Sequence, residues 1–392
     1  MNRKNMEVKR KKQHYVPQFY LKNFAREDNT FSIYNVKNNT IIQKAPYKSQ
    51  CYENYYYGEN NQWELRLSKL EYESSKIINR IINEDSYYPN IKEIDMLKKF
   101  VIFQRYRTTY NEETIKIIYW ETAKSILTMQ CYIDKVPITE ELLQLTKKQF
   151  EEKYQQNVPA ESLDMAYNLV NRIKDLELLV VRYNNLNNFL ISSDNPVIFY
   201  NSYMSRSVGL ENAGLIVILP ISPDKLIVFF DAKMYQRYKG KKCIQLQNEN
   251  EVKMLNVFQI LSANKIVYFS EYKQSKQILK DFIKYKKERD LYLKLRVPQT
   301  MGVETNKAVI MPVAFIPIKY IFSFSRVHPR AIGYTENEID WFPRKKNKDY
   351  ELRMNLRPQI FSMSKIRKLN SKSIKNIKRL NSFIKDYWDN KL

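Results

Sequence analysis

The stretch from residue 176 to 232 constrains the fold most, because it holds five short apolar runs separated by turn residues. The runs are LELLVVRYN, FLISSD, PVIFYN, GLIVILPIS and KLIVFFDA. Runs of this length, rich in Val, Ile, Leu and Phe and bounded by turn residues, are typical of strands. The stretch therefore predicts one sheet in the second half of the chain.

Helical periodicity dominates the chain before this sheet and returns after it. Helices are predicted over 62–82, 91–130, 142–156, 161–174 and 249–262, with a charged helix from about 275. TFSIYNV and TIIQKAPY flank Lys37-Asn38-Asn39 and predict a β-hairpin, while KIVYFS and AVIMPVAFIPI predict later strands. We expect an α+β fold: an N-terminal hairpin and helical region, then a β-rich sheet region, with a basic helical C-terminal extension.

The chain is strongly basic, with 66 Lys and Arg against 42 Asp and Glu and a net charge of +24. Residues 343–392 alone hold 15 basic residues against four acidic ones, a net charge of +11. Such a balance favours a nucleic-acid or other polyanionic partner. The predicted phosphate contacts are Lys11, Lys12, Lys365, Arg367, Lys368, Lys375, Lys378 and Arg379. The alternative is a solvated basic helix that packs on the core through its Ile and Leu stripe.

Several classes of protein and site are not expected. No apolar run is long enough to span a membrane, and no secretory h-region follows the basic N-terminus. Three dispersed cysteines favour a reducing, cytoplasmic compartment. Six glycines leave no phosphate-binding glycine loop, and two histidines without a paired-cysteine motif leave no zinc site.

A nuclease-like acid followed by D-x-K occurs in PDKLIVFFDAK, at Asp224, Asp231 and Lys233. The two acids bracket one apolar run. If the run is extended they are too far apart to share a metal ion, at about 3.3 Å per residue. This pattern is therefore interpreted as a buried strand with polar ends.

Three short segments carry the side chains that suit acid–base or phosphate chemistry. KKQHYVPQFYLKNF places His14 between a basic run and an apolar segment. On the helix KKFVIFQRYRTTY, Gln104 and Arg107 are predicted to lie toward the apolar face and Arg105 to point away from it. ISSDNPVIFY places Asp194 at a turn between two strands. A buried arginine requires an anion, either a protein carboxylate or a bound phosphate.

Taken in order, these segments resemble a bacterial family of domains of unknown function, number 4238. The resemblance rests on H-Y-V-P-x-x-Y-L-x-x-F at 14–24, F-x-x-x-Q-x-x-R-T at 100–108 and S-D-N-P at 193–196, and covers roughly residues 12–272. Glu71 stands where members carry an acid, and Lys22 stands where an arginine is usual. The resemblance implies a cytoplasmic, often mobile-element or defence-associated factor and no established reaction. We predict a basic flexible arm (1–12), the family-like α+β domain (13–272) and a basic C-terminal extension (273–392).

We expect His14, Arg107 and Asp194 to share one pocket, with Glu71 or Gln104 in its wall. In this hypothesis His14 transfers a proton, Arg107 stabilises phosphoryl charge, and Asp194 orients His14 or holds a divalent ion such as Mg²⁺ with Glu71. The residues predicted to bind substrate are Gln104, Asn195, Asn256 and Lys22.

Three functions remain open: a nuclease-like hydrolase in a defence or toxin system, a non-catalytic nucleic-acid-binding or sensor module, and a hydrolase of a small anionic metabolite. In the alternative without catalysis, His14 is a core residue and Arg107–Glu71 is a structural ion pair.

Overall fold

A computed structural model describes residues 11–59, 62–154, 157–184, 189–202, 209–235, 238–295, 299–301, 308–310 and 316–325 of the 392-residue chain. They form the predicted α+β fold. They fall into two compact units. The first holds the described residues up to 295 and those at 316–325. The second consists, as far as it is described, of a short antiparallel hairpin at 299–301 and 308–310.

The helices agree closely with the periodicity of the sequence. They are α1 (Gln18–Lys22), α2 (Gln62–Asn83), α3 (Ile91–Tyr106), α4 (Thr109–Ile133), α5 (Glu140–Tyr154), α6 (Val158–Leu169), α7 (Glu249–Ser262), α8 (Ser275–Lys284) and α9 (Lys286–Lys294). The predicted helix over 91–130 is in fact two helices. The break falls at Arg107 and Thr108, because the Thr108 hydroxyl caps the second helix by accepting a hydrogen bond from the Asn111 N–H.

The strands are short. They are β1 (Lys12–His14), β2 (Thr30–Asn35), β3 (Thr40–Pro46), β4 (Tyr52–Asn54), β5 (Glu177–Tyr183), β6 (Ser192–Ser193), β7 (Ile198–Tyr200), β8 (Ile216–Ser222), β9 (Lys225–Phe230), β10 (Cys243–Leu246), β11 (Ile266–Phe269), β12 (Gln299–Met301) and β13 (Ala308–Ile310). The β2–β3 hairpin is confirmed. Its turn places Asn39 in the left-handed region, with φ of 57°.

A five-stranded sheet, in the order β10-β5-β9-β8-β7, is the centre of the first unit. Successive residues of β5 alternate between two apolar clusters: Leu178 and Val180 face α2, α3 and α6, whereas Leu179 and Val181 face α7 and α9. Both faces are covered by helices, so the strands read as continuous apolar runs.

The prediction of one sheet over 176–232 was wrong in one respect. Strand β6 leaves the central sheet and joins a second sheet, in the order β3-β2-β11-β6. The SSDNP turn that follows β6 carries the chain back to β7 of the central sheet. This turn therefore lies where the two sheets meet.

The apolar core of the first unit continues past residue 272. Tyr292 of α9 and Phe322 are buried in the cluster that covers one face of the central sheet. The domain boundaries proposed from the sequence stay a prediction, since residues 326–392 lie outside the described part of the chain. Within that part, no helix combines the length and the apolar character needed to cross a membrane.

Candidate functional site

A cavity of about 620 Å³ lies between α2 and the N-terminal segment. Its walls are formed by Lys12, His14, Gln18, Phe19, Lys48, Glu64, Ser68, Glu71, Tyr72, Ser75 and Arg107. The volume falls within the range of small-molecule and cofactor sites, about 300–1,000 Å³. The predicted pocket of His14, Arg107 and Asp194 is thus observed only in part, since His14, Arg107 and Glu71 line the cavity. Asp194 and Gln104 are not among the lining residues.

The two sides of the cavity differ in charge because they come from different elements. Helix α2 contributes Glu64, Ser68, Glu71 and Ser75, whose spacing of four, three and four residues places them on one helix face. The opposite side is cationic. It takes Lys12 from β1 and Lys48 from the 3-10 turn at 47–49.

Strand β1 presents both Lys12 and His14 to the cavity because side chains alternate along a strand. Gln13, between them, points inward and is fully buried. Its Oε1 accepts a hydrogen bond from the Tyr57 N–H at 2.6 Å, and its Nε2 donates to the Gly58 carbonyl at 3.1 Å. The inward glutamine therefore fixes which face of β1 carries the two basic side chains.

Arg107 holds the N-terminal segment in place through the backbone. Its Nη2 donates to the His14 carbonyl, its Nε donates to the Tyr57 hydroxyl at 3.1 Å, and its Nη1 donates to Glu71 Oε1 at 2.6 Å. One residue along, the Tyr15 carbonyl accepts from Gln104 Nε2 at 3.0 Å. The Q-x-x-R pattern thus binds two successive carbonyls of the H-Y-V-P segment.

The ion pair is asymmetric in exposure. Arg107 is 2% exposed and Glu71 is 25% exposed at the cavity wall. Burial opposes the positive charge, yet Tyr57 and Glu71 raise the pKa of Arg107 above its ordinary value. The structural ion pair named as an alternative is therefore present. It also forms part of the cavity surface.

The His14 imidazole is arranged as a neutral base. Its Nε2 lies 3.1 Å from Gln18 Nε2, so the ring nitrogen accepts if the amide nitrogen donates. Burial lowers the pKa of His14, a hydrogen bond to the Lys48 backbone raises it, and the charges of Arg107 and Lys12 lower it further. The net effect is a pKa below 6.5, so the ring is uncharged near neutral pH and available to accept a proton.

The Asp194 carboxylate hydrogen-bonds to backbone N–H groups and does not line the cavity. Its Oδ1 accepts from the Asn264 N–H at 2.8 Å, and its Oδ2 accepts from the N–H groups of Lys265 and Ile266 at 2.8 and 3.2 Å. Burial raises the pKa of Asp194 to about 6, while these three donors favour the carboxylate. The side chain thus joins the turn after β6 to the start of β11.

We expect Asp194→Asn to lower the free energy of unfolding by about 1–3 kcal/mol, because an amide nitrogen would face a buried backbone N–H and leave it without an acceptor. Urea denaturation of both proteins at pH 7 measures the difference. Equal stability of the two proteins, combined with loss of activity in the variant, would make Asp194 a candidate catalytic residue again.

Two amides proposed to bind substrate also connect backbone segments. Asn195 accepts from Arg105 and Thr108 and donates to the Ser262 carbonyl at 2.9 Å. Asn256 accepts from the Ile191 N–H at 3.0 Å and donates to the Phe189 carbonyl at 2.9 Å. Both amide side chains therefore already form hydrogen bonds within the fold.

The predicted orientation of Arg105 was wrong. Its side chain is buried, donates to Asn195 Oδ1 at 2.9 Å and to the Tyr292 hydroxyl at 3.1 Å, and lies over the Tyr110 and Phe199 rings. The reason is that α3 is buried on all sides from Phe100 to Arg105, so it has no solvent face there.

The remaining predicted binding residues are dispersed or outside the described part of the chain. Lys12 lines the cavity, and Lys11 and Lys22 are exposed outside its lining. The tail residues Lys365, Arg367, Lys368, Lys375, Lys378 and Arg379 lie outside the described residues. Among the described residues, no group of three or more His, Cys, Asp or Glu side chains is arranged to hold a metal ion.

Sequence reasoning missed seven lining residues: Gln18, Phe19, Lys48, Glu64, Ser68, Tyr72 and Ser75. The polar spacing 64, 68, 71, 75 on an otherwise amphipathic helix was a usable signal for the α2 side. Lys48 had none, because its place depends on the 3-10 turn packing against α1.

Comparisons with known proteins identify a family and no activity. Neither a search of curated proteins nor one of solved structures returned a match. The family model described as "Protein of unknown function (DUF4238)" matches residues 12–273, which include β1, α2, the Q-x-x-R pattern and the SSDNP turn. Since this match covers well over half of the 392 residues, the chain belongs to the DUF4238 family.

Proposed function

We propose that the protein is a nuclease-like phosphodiester hydrolase that acts on nucleic acid at the cavity between α2 and the N-terminal segment. The observation that carries the proposal is the neutral His14 imidazole within a cavity that is also lined by Lys12, Lys48 and the buried Arg107. A base beside several cations is the combination that in-line attack on a phosphodiester requires. We also propose a cytoplasmic location and a role in defence, both of which are compatible with this activity.

In the proposed reaction, a water molecule replaces Gln18 as the donor to His14 Nε2. The water oxygen attacks phosphorus while His14 accepts the water proton. The bond from phosphorus to the leaving sugar oxygen breaks, and that oxygen takes a proton from solvent. Lys12 and Lys48 neutralise the phosphate oxygens, and Arg107, held by Glu71 and Tyr57, adds a fixed positive charge at the cavity wall.

The direct test is cleavage of end-labelled single-stranded DNA, duplex DNA and RNA by the full chain, with Mg²⁺ and with EDTA. The same preparation is tested on a chromogenic phosphodiester, which reports on small anionic substrates. We expect cleavage of at least one nucleic acid. Hydrolysis of the small ester alone would favour the metabolite reading, and binding without any hydrolysis would favour the second candidate function.

That second candidate is a non-catalytic anion-binding module, and the contacts of Arg107 favour it. The guanidinium already donates to Glu71, Tyr57 and the His14 carbonyl, as expected of a structural arginine. In that case the cavity cations bind phosphate and His14 contributes only shape. Retention of all activities by His14→Ala would support this reading.

We expect Lys12→Ala and Lys48→Ala each to reduce the slope of log binding constant against log salt by about 0.7 for a single-stranded oligonucleotide. Each change removes one cation that would otherwise displace a counterion. Lys276→Ala is the matched control, since Lys276 is exposed on α8 and does not line the cavity. If all three variants change the slope equally, the cavity has no special role in binding.

A further inference from the structure

Among the described residues that line the cavity, Tyr72 is the one large aromatic side chain that is also strongly exposed, at 61%. It comes from α2, directly beside Glu71 and one turn from Ser68 and Ser75. Phe19, the other aromatic residue of the wall, is half-buried and packs on Phe100 with ring centroids 5.7 Å apart. Phe19 thus belongs to the core, whereas Tyr72 presents its ring toward solvent at the cavity.

The Tyr72 ring carries a cation on one side. Lys76 lies one helical turn along α2, and its Nζ is 3.8 Å from the centroid of the Tyr72 ring. The same Nζ forms an ion pair with Glu73 Oε1 at 3.5 Å. Lys76 does not line the cavity. The cation covers one face of the ring, so a base of a single-stranded nucleic acid would stack on the opposite face.

The cavity offers the two parts of a nucleotide different surroundings. Phosphate suits the side formed by Lys12 and Lys48, and a base suits the exposed ring of Tyr72 on α2. A volume of about 620 Å³ accommodates one nucleotide unit and not a duplex. A base inside a duplex already stacks on its neighbours, so it would have to leave the helix to place a face on Tyr72.

We propose that Tyr72 is a base-stacking residue and that the substrate is an unpaired, single-stranded segment of nucleic acid, with one base on Tyr72 and its phosphate at the Lys12 and Lys48 side of the cavity. This inference rests on the proposed function, because it assigns the base-binding part of the same site.

The test uses three oligonucleotides of equal length: a single strand, a duplex and a single strand whose residues are abasic. The abasic strand keeps every phosphate and lacks every base, so the basic parts of the full chain contribute equally to both single strands. We expect Tyr72→Ala to weaken binding of the intact strand by about 5- to 100-fold and to leave the abasic strand unaffected. Tyr72→Phe retains the ring and should bind like the original protein.

Tyr167→Ala is the matched control, because Tyr167 is 65% exposed on α6 and does not line the cavity. An intact-strand affinity that is unchanged in Tyr72→Ala would overturn the inference, as would an equal loss on the abasic strand. Either of these results would contradict the role of Tyr72 alone. The proposed function would still be supported if the original protein cleaves nucleic acid and His14→Ala does not. Absence of any cleavage by the original protein removes the proposed function, whatever Tyr72 does.

Discussion

Replacement of His14 by alanine is expected to lower the rate of nucleic-acid cleavage by about 10²–10⁴-fold, the usual contribution of a general base. The variant loses the ring's hydrogen bond to the Lys48 backbone and its contact with the Tyr52 ring, but the fold should survive because the hydrogen bonds that hold this segment to Arg107 and Tyr57 use the His14 backbone. Arg107 and the Tyr57 hydroxyl both donate to the His14 carbonyl, which alanine retains. The measurement is single-turnover cleavage alongside thermal melting.

The pH dependence gives a second readout on the same residue. The pKa of His14 is lowered from 6.5 by burial and by the charges of Arg107 and Lys12, so the neutral base persists at lower pH than in a free histidine. We expect cleavage by the original protein to decline only below pH 6.5, and this limb to vanish in His14→Ala. The same lowered pKa makes the folded state lose stability as pH falls below 6.5, because charging the ring favours the unfolded chain.

Gln18→Ala is the control for His14, since it removes a neighbour of the ring without removing the base. It should retain most of the cleavage rate. The acid limb of the pH–rate profile is the critical comparison. If it is the same in His14→Ala and in the original protein, another group causes it and His14 is not the base.

Replacement of Glu71 by leucine is expected to lower the free energy of unfolding by about 3–5 kcal/mol, because it leaves the buried charge of Arg107 with neutral acceptors only. Arg107→Met should cost less. It leaves Glu71, which is partly exposed and can be solvated, and the Tyr57 hydroxyl still donates to the His14 carbonyl. The double variant should lose less than the sum of the two single losses.

Urea denaturation of the four proteins measures these free energies. Glu84→Leu is the control, because both side chains of its ion pair with Arg80 are 50% exposed and such pairs contribute little to stability. A loss of less than about 1 kcal/mol for Glu71→Leu would contradict the view that Glu71 stabilises the buried charge of Arg107.

Local patterns in the sequence predicted most elements of the first unit. The alternation on either side of Lys37-Asn38-Asn39 gave the β2–β3 hairpin, and the apolar period over 62–82 gave α2. Of the pocket expected for His14, Arg107 and Asp194, with Glu71 or Gln104 in its wall, only His14, Arg107 and Glu71 line the cavity. These features depend on short-range spacing, or on an arginine that needs a carboxylate when buried.

The features that failed depend on contacts between distant segments. Asp194 was expected at the cavity, but its oxygens are occupied by N–H groups at 264–266, which no local pattern links to the turn. Arg105 was expected to point away from the apolar face, but α3 is buried on every side from Phe100 to Arg105. The sequence does not show whether a buried polar side chain binds a ligand or hydrogen-bonds to the backbone. Only the three-dimensional structure distinguishes these two roles.

The order of strands in the second sheet has a consequence for how the chain folds as it is synthesised. Strand β2 pairs with β11, and β11 also holds β6, so the sheet joins the hairpin near Asn35 to residues at 192–193 and 266–269. At about 5–20 residues per second, the ribosome would release β11 more than ten seconds after the hairpin. During that interval β2 would have a bare edge exposed to other chains. We therefore expect fragments that end before β11 to aggregate or to associate with chaperones, whereas chains that extend beyond α7 and β11 can close the sheet.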